Sequence, residues 1–353
     1  MKKYIGMDVH LATTVVAVLD SEGRRVMETI VPTREASIIA FLGSLSGPLE
    51  VTFEEGSQAH WLYALVAPHV ERVVVCDPRK NPSLKKGNKS DRSDARKLAE
   101  WLRAGLLSPV YHCRNPLGEV KEAARSYLTL TQDAVRAMNR LKALYRGRGI
   151  ACPGSRVYAP RHRAGWLAQL AEGAVRRRAV RLYQQLDTAQ TLRREARQEL
   201  LTASRKHPAH RWLRSIPRWG PLRAALLLAL VQTPHRFRTK RQLWAYAGLA
   251  LVTHTSAEYL MVNGQVVRST KPVALRGLNP NHHPELKNLF KSAAITASRS
   301  PGPWQAFYQR RLDQGIKPPL ARLTLARKLA AVALHLWKKG ETYDAQHLKP
   351  QAA

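Results

Sequence analysis

The first hundred residues alternate between two periodicities in an order that few folds accommodate. Three β-rich runs come in quick succession: KYIGMDV at 3–9, TTVVAVL at 13–19 and RVMETIV at 25–31. The residues SEG at 21–23 supply the turn between the second and third. Branched and aromatic side chains suit a pleated, half-buried backbone, and connections this short join antiparallel neighbours, so the three runs predict a meander. The pattern then changes. A helical stretch near 34–44 is followed by the short strand LEVTFE ending at Glu54, a helix from about Ser57 to Leu65, the strand RVVVC running to Asp77, and a helix in DRSDARKLAEWLR.

The order βββαβαβα is that of an RNase H-like α/β fold, in which a mixed sheet brings strand ends and one late helix around a single carboxylate cluster. Strand order within the sheet is not readable from the pattern. Beyond this domain, expected over 1–112, Val120, Ala124, Tyr127, Thr131, Ala134, Met138, Leu141 and Tyr145 keep an alternating 4,3 spacing. That is a heptad seam, predicting a helix from about Gly118 to Tyr145. After the break GRGIACPGS a second, arginine-rich helix is expected from about Ala164 to Ser204, so that 113–205 reads as a helical coiled-coil segment. Packing within the chain and pairing between two copies both satisfy the seam.

Residues 206–340 then read as a mostly α-helical C-terminal domain, with 341–353 as a tail. Within it SIPRWGPLRAALLLALV at 215–231 has the form of a helix-hairpin-helix, a Pro/Gly turn leading into an apolar helix whose first amides can face a phosphate. An ordinary helix connection fits the same residues. A helix in QLWAYA leads into a glycine-containing loop, and a last helical stretch runs to about Lys339.

Charge divides the chain unevenly. Of 353 residues, 58 are Lys or Arg and 25 Asp or Glu, a net +33, yet residues 1–110 hold 15 basic and 13 acidic side chains. Residues 111–353 hold 43 and 12, and no acid occurs between Glu199 and Glu258. A solvated helical face would mix both signs. An excess of one sign over a whole region calls for a polyanionic partner, and nucleic acid fits better than an anionic membrane. No run of 18 apolar residues occurs, the N-terminus enters a strand pattern instead of a signal-peptide core, and the three cysteines are odd in number and far apart. A soluble protein of a reduced cytoplasm is expected.

Against that basic background, NKSDRSDARKLAE at 88–100 puts Asp91 and Asp94 one helical turn apart, where they repel. Carboxylates in a first turn offset the helix dipole, which is one explanation. The other is a metal centre: Asp8 in GMDVH and Glu54 in TFEEG sit on strands that converge on this helix in an RNase H-like sheet, with the adjacent Glu55 an alternative to Glu54. Four carboxylates together require a cation, and oxygen ligands select a hard ion such as Mg²⁺ or Mn²⁺. Such ions serve phosphodiester cleavage, and Lys85, Lys86, Lys89 and Arg92 beside the cluster would hold the substrate backbone. Arg218 and Arg223 play that role in the hairpin segment.

These residues resemble a known family. GMDVH, FEEG and KSDRSDA with LAEWLRAG are similar to the N-terminal DEDD domain of IS110-type (IS110/IS1111) transposases. SIPRWGPLRAALLLAL, AYAGLALVTHTSAEY and RGLNPNHHPELKNLFKSAA resemble the second domain of that family. The resemblance spans nearly the whole chain. It implies a RuvC-like catalytic domain with Asp8, Glu54, Asp91 and Asp94 as metal ligands, and a coiled-coil connection that mediates a dimer or tetramer. It further implies a structured noncoding RNA that pairs with donor and target DNA, and a bacterial or archaeal, nucleoid-associated setting. In the family a C-terminal serine attacks DNA and forms a covalent phosphoserine link. The matching residue is Ser256 in GLALVTHTSAEY, where the family's proline is absent, Thr255 stands for the first of two serines and Ala257 for a glycine. Thr255 is the alternative nucleophile and His254 a candidate helper, whereas His282 and His283, with no cysteine nearby, make a poor zinc site.

Two other readings compete. A Holliday-junction resolvase would use the carboxylates for hydrolysis and need no serine. An architectural or RNA-binding protein would use the acids only at helix ends and show no metal dependence.

Overall fold

The computed structural model describes residues 1–80, 90–112, 117–254, 259–262, 265–268 and 274–344. The chain divides into two compact units, Met1–Asn115 and Pro116–Ala353.

The first unit is built on five strands, β1 (Lys3–Val9), β2 (Thr13–Leu19), β3 (Arg25–Pro32), β4 (Leu49–Glu54) and β5 (Arg72–Cys76), in the order β3-β2-β1-β4-β5. The first three pair antiparallel as the expected meander, and β4 and β5 add in parallel on the other side of β1. The switch follows from the connections: helices α1 (Glu35–Gly43) and α2 (Ala59–Val66) each carry the chain back across the sheet, and only such a crossover returns a strand in the same direction. This mixed sheet with its helices is consistent with an RNase H-like fold.

Alternation along the strands sorts the side chains. Ile5, Met7, Val16, Val18, Val51 and Phe53 join Ile38, Leu42, Leu62 and Val66 in one core on the face covered by α1 and α2. The opposite face receives α3 (Asp91–Arg103), whose Ala95 packs with Val15 and Ala17 and whose Leu98 packs with Cys76. On this second face β1 presents Gly6. A Cβ built there would lie 2.1 Å from the carbonyl oxygen of Ala95 and 2.6 Å from the amide nitrogen of Ala99, so α3 rests directly on the backbone of β1.

The second unit begins with α4 (Gly118–Arg146), 29 residues long, which runs antiparallel to α6 (Ala174–Arg205), 32 residues long. The seam is used inside the chain: Val120, Ala124, Ala134, Leu141 and Tyr145 are all buried. At the far end of this pair Leu141, Leu144 and Tyr145 meet Ala179, Leu182 and Tyr183, and the two tyrosine hydroxyls lie 3.3 Å apart. Arg163 stacks over the Tyr183 ring and grips Asp187 through both guanidinium ends at 2.5 and 2.6 Å. The single helix expected over 164–204 is interrupted. A short α5 (Arg163–Ala168) ends before Gly173, whose φ of 121° lies outside the helical region and starts α6 in a new direction.

The other end of the pair joins a large core with α7 (Pro208–Arg214), α8 (Pro221–Val231), α9 (Lys240–Tyr246), α10 (Pro284–Arg299), α11 (Pro303–Asp313) and α12 (Pro318–Lys339). The last helical stretch, expected from beyond Ala297 to about Lys339, is thus two helices, α11 and α12, the first preceded by Gly302 and the two separated at Gly315, both glycines at positive φ. Between α9 and α10 lie four short strands, β6 (Leu251–His254), β7 (Tyr259–Val262), β8 (Gln265–Arg268) and β9 (Ala274–Leu278), where the sequence reads only as a loop. They pair as β6 with β9 and β7 with β8. Two arginines are spent inside this unit. The Arg223 guanidinium donates to the Arg218 and Ser292 carbonyls and to Thr296 Oγ1 at 2.8 Å, tying α8 to α10. Arg327 donates to the Leu249 carbonyl at 2.7 Å while its own carbonyl accepts from Trp244 Nε1. Burial lowers the pKa of both guanidinium groups.

Gly6→Ala is expected to destabilise the full chain by about 1–3 kcal/mol, because the added methyl meets backbone and not a side chain that can swing away. Gly56→Ala, with nothing within 4 Å of its Cβ, serves as the control and is expected to change stability by less than about 0.5 kcal/mol. Urea unfolding followed by circular dichroism measures both.

Candidate active site

The close seat of α3 on β1 decides where the acids meet. Asp8 lies two residues beyond Gly6 and therefore on the same face of β1, the face that carries α3. The first turn of α3 arrives there with Asp91 and Asp94. Its cap is Ser90, whose hydroxyl accepts from the Ser93 amide while Ser93 Oγ accepts from the Ser90 amide, both at 3.2 Å. This reciprocal box fills the capping role, so neither aspartate is the cap itself.

His10 completes the group. Its Nε2 lies 3.3 Å from Asp8 Oδ2 and 3.4 Å from Asp91 Oδ2, and one donor atom of each of the three residues lies within 4.8 Å of the others. Asp94 is beside them on the helix. Its Oδ1 lies 3.5 Å from Ser93 Oγ and 3.8 Å from Lys97 Nζ. Among the described residues no lysine or arginine bridges Asp8 or Asp91. Burial raises the Asp8 pKa; His10 opposes the shift, while the charges of Asp91 and Asp94 add to it. A donor set of two facing carboxylates and an imidazole, with a third carboxylate one helical turn on, fits a divalent cation.

Glu54 ends β4, in register with Cys76 of β5. Met7 and Phe53 are register partners across the parallel β1–β4 pair, so Asp8 and Glu54 are each one residue beyond that pair at the same end of adjacent central strands. Glu54 is exposed and is not one of the three residues whose donor atoms converge. Glu55 is turned elsewhere: its Oε2 lies 2.6 Å from Nε2 of the half-buried His112, a ring that also packs on Tyr63.

Arg92 is exposed on α3, and Arg218 is exposed with a left-handed φ of 64° in the turn before α8. Arg223 is the internal tie already described. Lys85, Lys86, Lys89, Thr255 and Ser256 lie outside the described residues; His254 is the last residue of β6. His282 Nδ1 lies 2.7 Å from the Asn279 carbonyl and His283 caps α10, so both rings have local duties. His10 is the one residue of the converging group that the motif reading did not single out. The signal was present in GMDVH, where His10 is two residues from Asp8 and so on the same side of the chain.

Residues 5–147 match a family model described as "Transposase", that of the DEDD domain of IS110 transposases. Residues 210–309 match a second, described as "Transposase IS116/IS110/IS902 family". No curated protein matches the chain. No described helix is long and apolar enough to cross a membrane. The first match contains every acid of the cluster, and the two matches together span well over half of the sequence. The chain therefore belongs to the IS110-type transposase family, and that membership implies a DNA-cleaving recombinase with DNA as its substrate.

Proposed function

We propose that this transposase cuts and rejoins DNA strands at a metal-dependent DEDD centre with a serine nucleophile, directed by a noncoding guide RNA that pairs with donor and target DNA. The observation that carries the reading is the convergence of Asp8 and Asp91 from separate elements onto one point, with Asp94 adjoining. Asp8, Asp91, Asp94 and Glu54 hold Mg²⁺ or Mn²⁺. Glu54 is favoured over Glu55 because Glu55 is engaged by His112. A divalent cation there supplies neutralisation of the carboxylates and polarisation of a phosphate.

Ser256 is the proposed nucleophile, supported by its register within the family motif. A serine hydroxyl is weak until its proton is drawn away. Its Oγ forms a bond to phosphorus as the bond from phosphorus to the sugar oxygen breaks, and the freed sugar oxygen takes up a proton. Attack on that ester by another strand's hydroxyl restores the serine and joins the new DNA. Arg92, Lys85, Lys86 and Lys89 contact the substrate backbone beside the acids. Arg218, in the turn Ser215–Gly220, contacts phosphate through a helix-hairpin-helix, and Arg223 supports that turn through its bond to the Arg218 carbonyl. The helix pair α4–α6 serves as the coiled-coil element of a dimer or tetramer, a role supported by the exposed Val135, Val180 and Leu192 along it.

Asp8→Asn, Asp91→Asn and Asp94→Asn are each expected to lower strand cleavage by more than about a hundredfold. The Asp8 change also carries a stability signature. A carboxyl whose folded pKa is raised contributes stability at low pH that is lost as pH rises through the folded value, so ionised Asp8 costs stability at neutral pH. Without divalent ions Asp8→Asn is expected to unfold at higher denaturant than wild type, and added Mn²⁺ should narrow or reverse the difference. Denaturant titrations with and without the ion measure this.

Ser256→Ala is expected to bind nucleic acid as wild type does and to form no protein–DNA adduct. Peptide mapping of the adduct trapped from wild type identifies the esterified residue. Modification at Thr255 moves the register by one, and strand cleavage by wild type that leaves free 5′-phosphates and no adduct favours the resolvase reading. Binding of RNA and of DNA is expected to weaken steeply with salt, since each phosphate neutralised by Lys or Arg releases counterions. Filter binding across a salt series provides the slope.

A further inference from the structure

We propose that His10 is a direct ligand of the divalent cation bound by Asp8 and Asp91, giving the centre a mixed nitrogen–oxygen donor set and a preference for Mn²⁺ over Mg²⁺. The inference rests on the metal-dependent reading of the site and concerns which atoms and which ion complete it.

His10 is not a loosely attached surface residue. Its amide donates to the Thr13 carbonyl at 3.0 Å and its carbonyl accepts from Thr33 Oγ1 at 2.9 Å, so the turn that carries it is fastened to the end of β3. From that fixed backbone the imidazole reaches carboxylates on two different elements, with nearly equal Nε2 to Oδ2 separations of 3.3 and 3.4 Å. Both exceed the range of about 2.7–3.2 Å for a good N–H···O bond. They lie close to the edge of an octahedron, about 3 Å for metal–ligand bonds of about 2.1 Å. The imidazole nitrogen is therefore spaced from each carboxylate oxygen as a neighbouring ligand of one ion would be, and the two oxygens lie within 4.8 Å of each other. The half-exposed ring leaves its flank open for water or phosphate to fill the remaining positions.

The donor chemistry sets the preference. Mg²⁺ is a hard ion that keeps oxygen ligands and water, and gains little from an imidazole nitrogen. Mn²⁺ accepts the same carboxylates, and it opens the transition-metal series in which nitrogen donors count. The competing account is that His10 is only a protonated counter-charge to the two acids. The two accounts differ in whether a nitrogen is bonded to the ion.

The test uses the full-length protein stripped of metal by a chelator and titrated with Mn²⁺, first alone and then in competition with Mg²⁺. Pulsed electron paramagnetic resonance is expected to detect ¹⁴N coupling to the bound ion, replaced by ¹⁵N coupling when the protein carries ¹⁵N-labelled histidine. Asp8→Asn is expected to remove the ion and the coupling together. His10→Ala should retain an ion without nitrogen coupling, weaken Mn²⁺ at least about tenfold and leave Mg²⁺ within about twofold. Mn²⁺ bound in an Asp8-dependent way with no nitrogen coupling in wild type overturns this inference and leaves the metal-dependent centre standing. Equal weakening of both ions in His10→Ala overturns the preference. Failure of Mn²⁺ to bind at all removes the metal-dependent reading along with it.

Discussion

The contact between β1 and α3 is the constraint from which the site follows. Side chains on both normally hold a helix off the backbone of a sheet, and a glycine in a strand marks a place where another backbone comes close. Here one strand residue has no side chain, and the backbones approach until the Ala95 carbonyl oxygen occupies the space of a Cβ at Gly6. The aspartates of the centre are positioned by that approach. Asp8 takes its direction from the alternation that starts at Gly6, and Asp91 its height from the turn of helix that precedes Ala95. The Ser90–Ser93 box fixes where the helix begins and hence which residues form its first turn.

The second unit solves a different problem, burying a large apolar core in a strongly basic chain. It does so with helices rich in alanine and leucine, of which α8 has Ala224, Ala225, Leu227, Leu228, Ala229 and Val231 all buried. Small residues let helices pack closely, and long α4 and α6 extend that packing beyond the core into a pair with its own cluster around Tyr145 and Tyr183.

Much of the first unit was legible because its strands are short, continuous and separated by turn residues, and because its helices change the period cleanly. The pairing order was not, since β1 lies beside β4 through contacts 46 residues apart that no local pattern encodes. Asp8, Asp91 and Asp94 were legible as acids against a basic background. His10 was missed because a lone histidine after a strand carries no periodic signal, and its meaning comes from Asp91, far along the chain. Glu54 and Glu55 were indistinguishable as neighbours; the partner that separates them, His112, lies 57 residues from Glu55. In the second unit, four-residue strands are too short to show alternation, so β6 to β9 read as loop. Gly173 sits within an otherwise helical composition that masks the break.

The internal arginines alter what the net charge of this chain means. Arg223 and Arg327 are counted in the formal +33, yet each has its donors turned to carbonyl oxygens of its own unit. Arg163 is neutralised by Asp187. Such groups behave as cross-braces whose polar ends happen to be cationic, and they meet phosphate only by first letting go of the framework. Not every arginine counted in the formal charge is thus available to a polyanion. Replacing arginines one at a time should sort them into two populations, those whose loss loosens the scaffold and those whose loss loosens the grip.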